Sequence, residues 1–511
     1  MINIKFWEGY MTNLDALCQI LNVPESLSKT EKEKLCISIG YEKWGDQLPI
    51  HMKGYFAFLL HDEKENVYFG ARDRFGVIPF YYLIKDDRII CDCYIKKVLE
   101  ESESEILFNE NALQLYLTFS FLPGEQTFYK NVMKLMPGQR FVYKKGIIKT
   151  SKYYDYSCAT MNINPEKYEE VIEKNIEEYV NKMEETDCAF LLSSGIDSNY
   201  IYSISDSNNA YTIGYSESEF DESRTAELNA KMYGKTCQRL IISAEDFFES
   251  VEEASVKMEQ PIGTASSVAF MIGCKEIGKQ TNVCLTGEGA DELFAGYEIY
   301  KKADLFTEKI CYLGKTHIFE ESEKKSLLKR YTNGLEDCTI VKKLCPRNQC
   351  DDNLQNMLTV DINFWLEADS FVNSFKMSRS SNLEIRMPFV NEELFEIARY
   401  IPSNLKIFND IDKYILRKIT KERLPREIAW RKKRGFVLPI RQWMVEPKFL
   451  FEIDAVLKSE TINKFFNINV VNEYLNEFIC GNQKLWRKIW CLYAFAKWYD
   501  CNFKKEDYTY E

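Results

Sequence analysis

Two kinds of hydrophobic pattern divide this chain. Between residues 40 and 155 the apolar positions come in short runs, YFAFLLHD, NVYFGARD, PFYYLIKD and RIICDCYI, each cut off by acidic or turn-forming residues. Short apolar or alternating runs bounded in this way predict β-strands. Phe121-Leu122-Pro123-Gly124 and Met136-Pro137-Gly138 read as turns, with the short, mixed run FYKNVMKL between them. GQRFVYKKGIIKTSKYY reads as a hairpin turning at Lys144-Lys145-Gly146.

Past Asn164 the period changes. Pro165 follows Asn164 as a first-turn proline follows an N-cap. Tyr168, Val171, Ile172, Ile176, Tyr179, Val180 and Met183 then recur at helical spacing. The domain boundary falls at about 155–164, dividing the chain into 1–158 and 159–511. Beyond it, strand-like runs alternate with helical ones. CAFLL precedes DSNYIYSI, AYTIGY precedes SRTAELNAKMYG, CQRLIIS precedes AEDFFESVEEASVKM, and NVCLTG leads into a helix over about 290–303. Such alternation predicts a doubly wound parallel sheet, and from about 300 onward the pattern is mainly helical. There is no internal repeat, and stretches such as EESEKK read as solvated helix faces.

Composition narrows the function classes. A chain of 511 residues, 45% hydrophobic and 28% charged, is a globular protein of two to four domains. No apolar run approaches the ~18 residues of a membrane span, and MINIKFWEGYMTNLDALCQ lacks the pattern of a cleaved leader, so the expectation is a cytoplasmic protein with no membrane partner. The net charge of −12 argues against a nucleic-acid surface while leaving room for a local site that takes ATP. The 16 cysteines are scattered, and Cys188, Cys284 and Cys491 sit in apolar contexts, as buried free thiols do. Cys91 and Cys93 alternate along a strand with no matching second pair, which argues against zinc. His51, His61 and His317 lie in no suggestive context and read as structural or solvent-facing.

The chemistry concentrates in two loops. AFLLSSGIDSNY is a buried strand, a turn of small residues (Ser193, Ser194, Gly195) and the start of a helix carrying Asp197 and Ser198. Small residues let backbone N–H groups approach an anion, and a helix N-terminus adds its own N–H groups and partial positive charge. Ser193 and Ser198 supply hydroxyl donors, and Asp197, which repels phosphate by itself, makes sense as a magnesium ligand. Alone, the segment reads equally well as a capped turn. A second loop, Thr286-Gly287-Glu288-Gly289-Ala290-Asp291-Glu292, follows another strand. Ligands of parallel sheets gather at strand carboxyl ends, so Asp197 and Asp291 are candidates to share one magnesium ion.

These segments resemble the asparagine synthetase family. Its pyrophosphatase loop, S-G-G-x-D-S, is matched at 193–198 with Ser194 replacing the first glycine, and its S-G-E-G-A-D-E-L-F-G-G-Y motif is matched at 286–297 with Thr286 and Ala295 as the changes. Leu383-Glu384-Ile385-Arg386-Met387-Pro388-Phe389, the segment from Lys413 to Arg417, and Arg431-Lys432-Lys433-Arg434-Gly435-Phe436 with Pro439 are similar to three more of its motifs. The stretch from Ala71 to Tyr82, Pro123-Gly124 and the segment from Leu135 to Gly138 resemble its glutaminase-type domain.

The resemblance implies an antiparallel, β-sandwich-like α+β domain of degenerate N-terminal-nucleophile type, followed by an α/β ATP-pyrophosphatase domain of the PP-loop type with a large helical part. It implies ATP and Mg2+, with Leu192, Ser193, Ser194, Gly195, Asp197, Ser198, Ile213, Thr286 and Gly287 around the nucleotide, Asp197 and Asp291 on the metal, Glu288 in forming the acyl-adenylate, and Lys433 stabilising the charged intermediates. Adenylation suits the task, because joining a carboxylate to an amine requires a better leaving group than oxide. Glu384 corresponds to a glutamate that, in relatives closing a β-lactam ring, pairs with a tyrosine; here Glu288 stands at the tyrosine position, so Glu384 is either catalytic or bound to Arg386. Phe375 replaces an acid of the relatives, implying an altered acceptor pocket. The family's glutaminase needs a cysteine after the initiator methionine, and Ile2 stands there, so glutamine hydrolysis is expected to be lost.

The implied partners are a small-molecule or peptide carboxylate and ammonia or an amine, with a homodimer or a precursor peptide as further candidates. The alternatives are an intramolecular cyclase of the lasso-peptide or β-lactam type and a silent nucleotide-binding scaffold. Retention of Asp197, Glu288, Asp291 and Lys433 argues against silence.

Overall fold

The computed structural model describes residues 2–157, 165–305, 317–344, 351–432, 435 and 437–504. The N-terminal strands are β1 (Ile2–Met11), β2 (Gly54–Asp62), β3 (Val67–Arg72), β4 (Tyr81–Lys85), β5 (Arg88–Asp92), β6 (Met133–Lys134), β7 (Gln139–Lys144) and β8 (Ile147–Lys152). They form two antiparallel sheets, ordered β1-β2-β3-β7-β8 and β5-β4-β6. The run GYFAFLL is apolar throughout because both faces of β2 are covered. Phe56, Phe58 and Leu60 pack with Cys36 and Ile37 of the helix Lys29–Trp44, while Tyr55, Ala57 and Leu59 face Phe80 and Phe141. Tyr82 of one sheet meets Phe141 of the other at 5.7 Å. In the β7–β8 hairpin Lys145 and Gly146 both take positive φ, 52° and 76°, as a tight two-residue hairpin turn requires. β1 and the helices Leu14–Leu21 and Lys29–Trp44 precede the region in which the sequence pattern announces structure.

The second part opens with the expected helix, Pro165–Met183, whose stripe from Tyr168 to Met183 is buried except for Val171. Asn164, the expected cap, and the rest of 158–164 lie outside the described residues. β9 (Ala189–Leu191), β10 (Ala210–Tyr215), β11 (Gln238–Ile242), β12 (Val283–Leu285) and β13 (Glu384–Arg386) form one sheet, ordered β11-β10-β9-β12-β13 and parallel at each pairing. β9 has β10 on one side and β12 on the other, so the strand order reverses there, and the loops leaving β9 and β12 emerge side by side.

The continuous helix expected over 290–303 is corrected. The helix Ala290–Phe294 stops at Ala295, with φ 58°, and a 3-10 stretch, Glu298–Leu305, follows. A Cβ on Gly296 would stand 1.9 Å from Asp291 Oδ1 and 2.1 Å from Lys413 Cε, so the break lets bare backbone pass close to that pair. The C-terminal helices bury Trp443, Trp490 and Trp498 in one cluster. Among the described residues no helix is long and apolar enough to cross a membrane. Cys188, Cys284 and Cys491 are buried free thiols; His51 stacks on Trp44 and His61 on Tyr68.

The two parts share core. Tyr10, Phe75 and Phe80 belong to the same apolar cluster as Ile385 and Phe395, and Tyr55 donates to the carbonyls of Met387 at 2.8 Å and Val390 at 3.1 Å.

Candidate active site

The loop after β9 is built by its own side chains. Ser193 N–H donates to Ser198 Oγ (3.0 Å) and Gly195 N–H to Ser193 Oγ (3.1 Å), closing a tight turn into the helix Ile196–Ile204. Asn199 locks it, donating to the carbonyls of Ser193 (2.9 Å) and Gly195 (2.6 Å) while Tyr233 donates to its amide oxygen. Ser194, where the family carries glycine, is buried and donates to Glu222 at 2.9 Å. The loop after β12 packs directly on this turn: a Cβ on Gly287 would lie 2.8 Å from Ser198 N.

Between the loops lies a cleft of about 340 Å³. Leu192, Ser193, Asp197, Ser198, Ile213, Thr286, Gly287, Glu288 and Asp291, each expected at the site, line it. Ser194 and Gly195 do not; they shape the loop from behind. Thr286 Oγ is buried at the cleft wall with no hydrogen-bond partner among the described residues.

Asp197 and Asp291 converge, but on a side chain. The ammonium of Lys413, fully buried, lies 2.5 Å from Asp197 Oδ2 and 2.7 Å from Asp291 Oδ1. Both carboxylates therefore meet at one cation, the buried ammonium of Lys413. Lys433 lies outside the described residues.

Glu288 faces the same cleft and is held from the opposite wall. Ser370 donates to Oε1 and Ser374 to Oε2, the latter at 2.6 Å. Asp369 stands beside them, accepting from Thr264 (3.0 Å) and Asn373 (3.0 Å). Burial pushes the Glu288 carboxyl up to about 7; the two serine hydroxyls oppose this rise and the neighbouring Asp369 adds to it. These partners come from a π-helix, Ile362–Phe371, that runs into the helix Val372–Arg379. Sequence reasoning did not find Asp369, Ser370, Asn373 and Ser374. The available signal was four small polar residues within two turns of an otherwise apolar segment.

Glu384 is not part of this cleft. It begins β13, at the end of the strand opposite the loops, and accepts from Arg386 Nε at 2.6 Å. Of the two roles left open for it, the geometry gives the bond to Arg386. Phe375 also faces away from the cleft, toward a seam beside Tyr10, Glu384 and Met387. The substitution at 375 therefore alters the packing against the N-terminal sheets and leaves the cleft wall untouched.

Comparison with known proteins places the chain among its relatives. The family model described as Asparagine synthase matches residues 169–500, and that described as Glutamine amidotransferase domain matches residues 7–154. The glutamine-hydrolyzing asparagine synthetase 1 of Bacillus subtilis (strain 168) is 27% identical over 542 residues, covering 98% of this chain and 85% of its own. Asparagine synthetase 3 of the same organism is 27% identical over 437 residues, covering 78% and 69%. Amidase chyE of Penicillium rubens is 21% identical over 491 residues, covering 79% and 72%. The chain belongs to the asparagine synthase family and is an ATP-dependent carbon–nitrogen ligase.

Proposed function

We propose that this chain adenylates a carboxylate with ATP, releases pyrophosphate and AMP, and joins the carboxylate to ammonia or an amine without hydrolysing glutamine. The observation that carries this reading is Glu288. Beyond the role in forming the acyl-adenylate that the resemblance implies, a carboxyl whose titration burial raises to about 7, with both oxygens accepting from serine hydroxyls, is poised to take the proton of the attacking amine at physiological pH.

The loop 193–198 and the start of the helix Ile196–Ile204 form the pyrophosphate cradle of a PP-loop fold, where N–H groups and the Ser193 and Ser198 hydroxyls take up charge on the departing group. Thr286 Oγ, buried and unpaired among the described residues, is a ready contact for the nucleotide. Leu192 and Ile213 supply an apolar wall for the base. Asp197 and Asp291 are the residues that would hold magnesium, which when bound screens phosphate charge and orients the leaving group. Lys413 keeps the two carboxylates together and partly neutralised, so they do not repel the nucleotide.

The loss of glutamine hydrolysis, a departure from the relatives' printed activity, is supported by the thiols. In the N-terminal sheets and helices Cys36, Cys91 and Cys93 are buried and pushed above the ordinary thiol range by desolvation, Cys36 to about 12, the reverse of an activated nucleophile.

The test is the nucleotide product. With MgATP, ammonium chloride and a panel of carboxylic acids that includes L-aspartate, turnover should yield AMP and pyrophosphate, and the accepted acid should drive exchange of labelled pyrophosphate into ATP. Formation of ADP and phosphate would overturn the reading.

A further inference from the structure

We propose that the N-terminal part holds Glu288 in register by bracing the segment 362–379 on either side of Ser370 and Ser374, directly through Arg72 and Lys134 and indirectly through Glu259 of the second part, these three being positioning residues. The proposal rests on Glu288 being the base of the site.

Ser370 and Ser374, the two groups that fix Glu288, lie where π-helix passes into α-helix. Hydrogen bonding in a π turn is rarer and less favourable than in an α turn, so such a stretch depends on tertiary contacts to keep its shape. One contact lies just before the serines. Glu367 is fully buried on the π-helix, and Arg72 reaches Oε1 at 2.8 Å while Lys134 reaches the same carboxylate at 3.1 Å. Burial disfavours the Glu367 anion, but Lys134 and Arg72 outweigh it and hold the carboxyl below its usual range. Arg72 is itself anchored, donating to the carbonyls of Ile78 (2.6 Å), Leu135 (2.8 Å) and Gly76 (2.7 Å). The turn is shaped around the acid: Gly76 has φ +75°, and a Cβ there would stand 2.8 Å from Glu367 Cγ. Asp73 holds the turn closed by accepting from the N–H groups of Phe75, Gly76, Val77 and Ile78.

The second contact lies just after the serines. Lys376 is fully buried and pairs with Glu259, and its ammonium sits 4.7 Å from the Tyr81 ring centre. Glu259 also accepts from the N–H groups of Ile95 (2.9 Å) and Lys96 (2.8 Å), at the start of the helix Ile95–Ser102. The N-terminal part thus meets the segment before the serines through Arg72 and Lys134, and after them through Tyr81 and through Glu259, a residue of the second part that the helix Ile95–Ser102 holds. Buried ion pairs add little net stability over apolar packing, and their best-attested use is to fix register. A domain that has lost its own chemistry would keep such groups for that reason.

The experiment uses the whole chain without ligand. Lys134→Met removes one cation and leaves Arg72 paired with Glu367, so the fold is kept; Glu367→Gln removes the shared acceptor. Cys491→Ala, in the C-terminal core, controls for a general loss of stability. The Glu288 titration is followed by its infrared carboxyl band in glutamate-labelled protein, assigned by its loss in Glu288→Gln, and backbone hydrogen exchange is measured over 362–379. Both clamp variants should loosen the serine donors and move the midpoint upward, the direction expected of Ser374→Ala, by about one pH unit, a tenfold change in the protonation equilibrium, and speed exchange over 362–379 about tenfold; Cys491→Ala should do neither. Folded Lys134→Met and Glu367→Gln proteins with unchanged titration and exchange would overturn the clamp. An ordinary Glu288 titration in the unsubstituted chain would instead overturn the general-base reading, and the clamp is then decided by exchange alone.

Discussion

Gly287 rests directly against Asp197: a Cβ on the glycine would stand 2.9 Å from the Cβ of the aspartate. The two loops of the cleft touch backbone to side chain, leaving no room for a methyl group. Gly287→Ala should push them apart and weaken binding of an ATP analogue at least tenfold by calorimetry. Gly195→Ala, which meets only Ser193 Oγ at 3.2 Å, should have a much smaller effect.

The charge state of Glu288 links stability to pH. Its folded carboxyl is raised to about 7, so the fold favours the protonated form. That contribution is complete below the unfolded value, is lost as pH rises toward 7, and above 7 the ionised group costs at most about 3 kcal/mol. Glu288→Gln should therefore stabilise the protein at pH 8, leave it unchanged at pH 4, and abolish amide formation while ATP still binds. Thermal melts at the two pH values, beside product assays, check both halves. Ser374→Ala removes a donor that favours the anion and should move the pH–rate profile to higher pH.

Lys413 is the fixed counter-charge of Asp197 and Asp291. Lys413→Met leaves two buried carboxylates without it, and breaking such a pair costs about 3–5 kcal/mol. We expect a lower melting temperature, partly restored by MgCl2 because the metal binds the folded state. Asp197→Ala and Asp291→Ala should each abolish magnesium-dependent turnover; normal rates in either would remove the shared-metal arrangement.

Offered glutamine alone, the protein should release no ammonia, and ammonium chloride should support turnover equally well in the presence or absence of glutamine. A coupled glutamate assay decides this, and measurable hydrolysis would show that a thiol other than the buried Cys36, Cys91 and Cys93 is active.

What could be read from the sequence was local. The loops at 193–198 and 286–292 each announce themselves by a buried strand, small residues and a helix start, and the parallel sheet follows from the alternation of runs. The partners of Glu288 were hidden because Ser370 and Ser374 are 82 and 86 residues away in sequence and straddle the passage from a π-helix to an α-helix, where the change of period leaves no familiar stripe. Lys413 was legible as part of a motif but not as the cation between two aspartates. Glu384 carried a plausible role by resemblance, and only the direction of β13 shows that it lies at the wrong end of the strand. The break at Ala295 was invisible because it answers to crowding around Gly296.

The turn around Gly76 also bears on how this protein can be dismantled. Glu367 is neutralised by side chains that belong to the other half of the chain, and Tyr55 caps carbonyls that no residue of its own sheet needs. A ligase trimmed to the part beginning at Pro165 would carry a bare buried anion behind its own active site and an open apolar face along Phe389 and Phe395. The N-terminal sheets and the ligase half thus share buried charge and apolar core, and a cut between them would leave both unmatched.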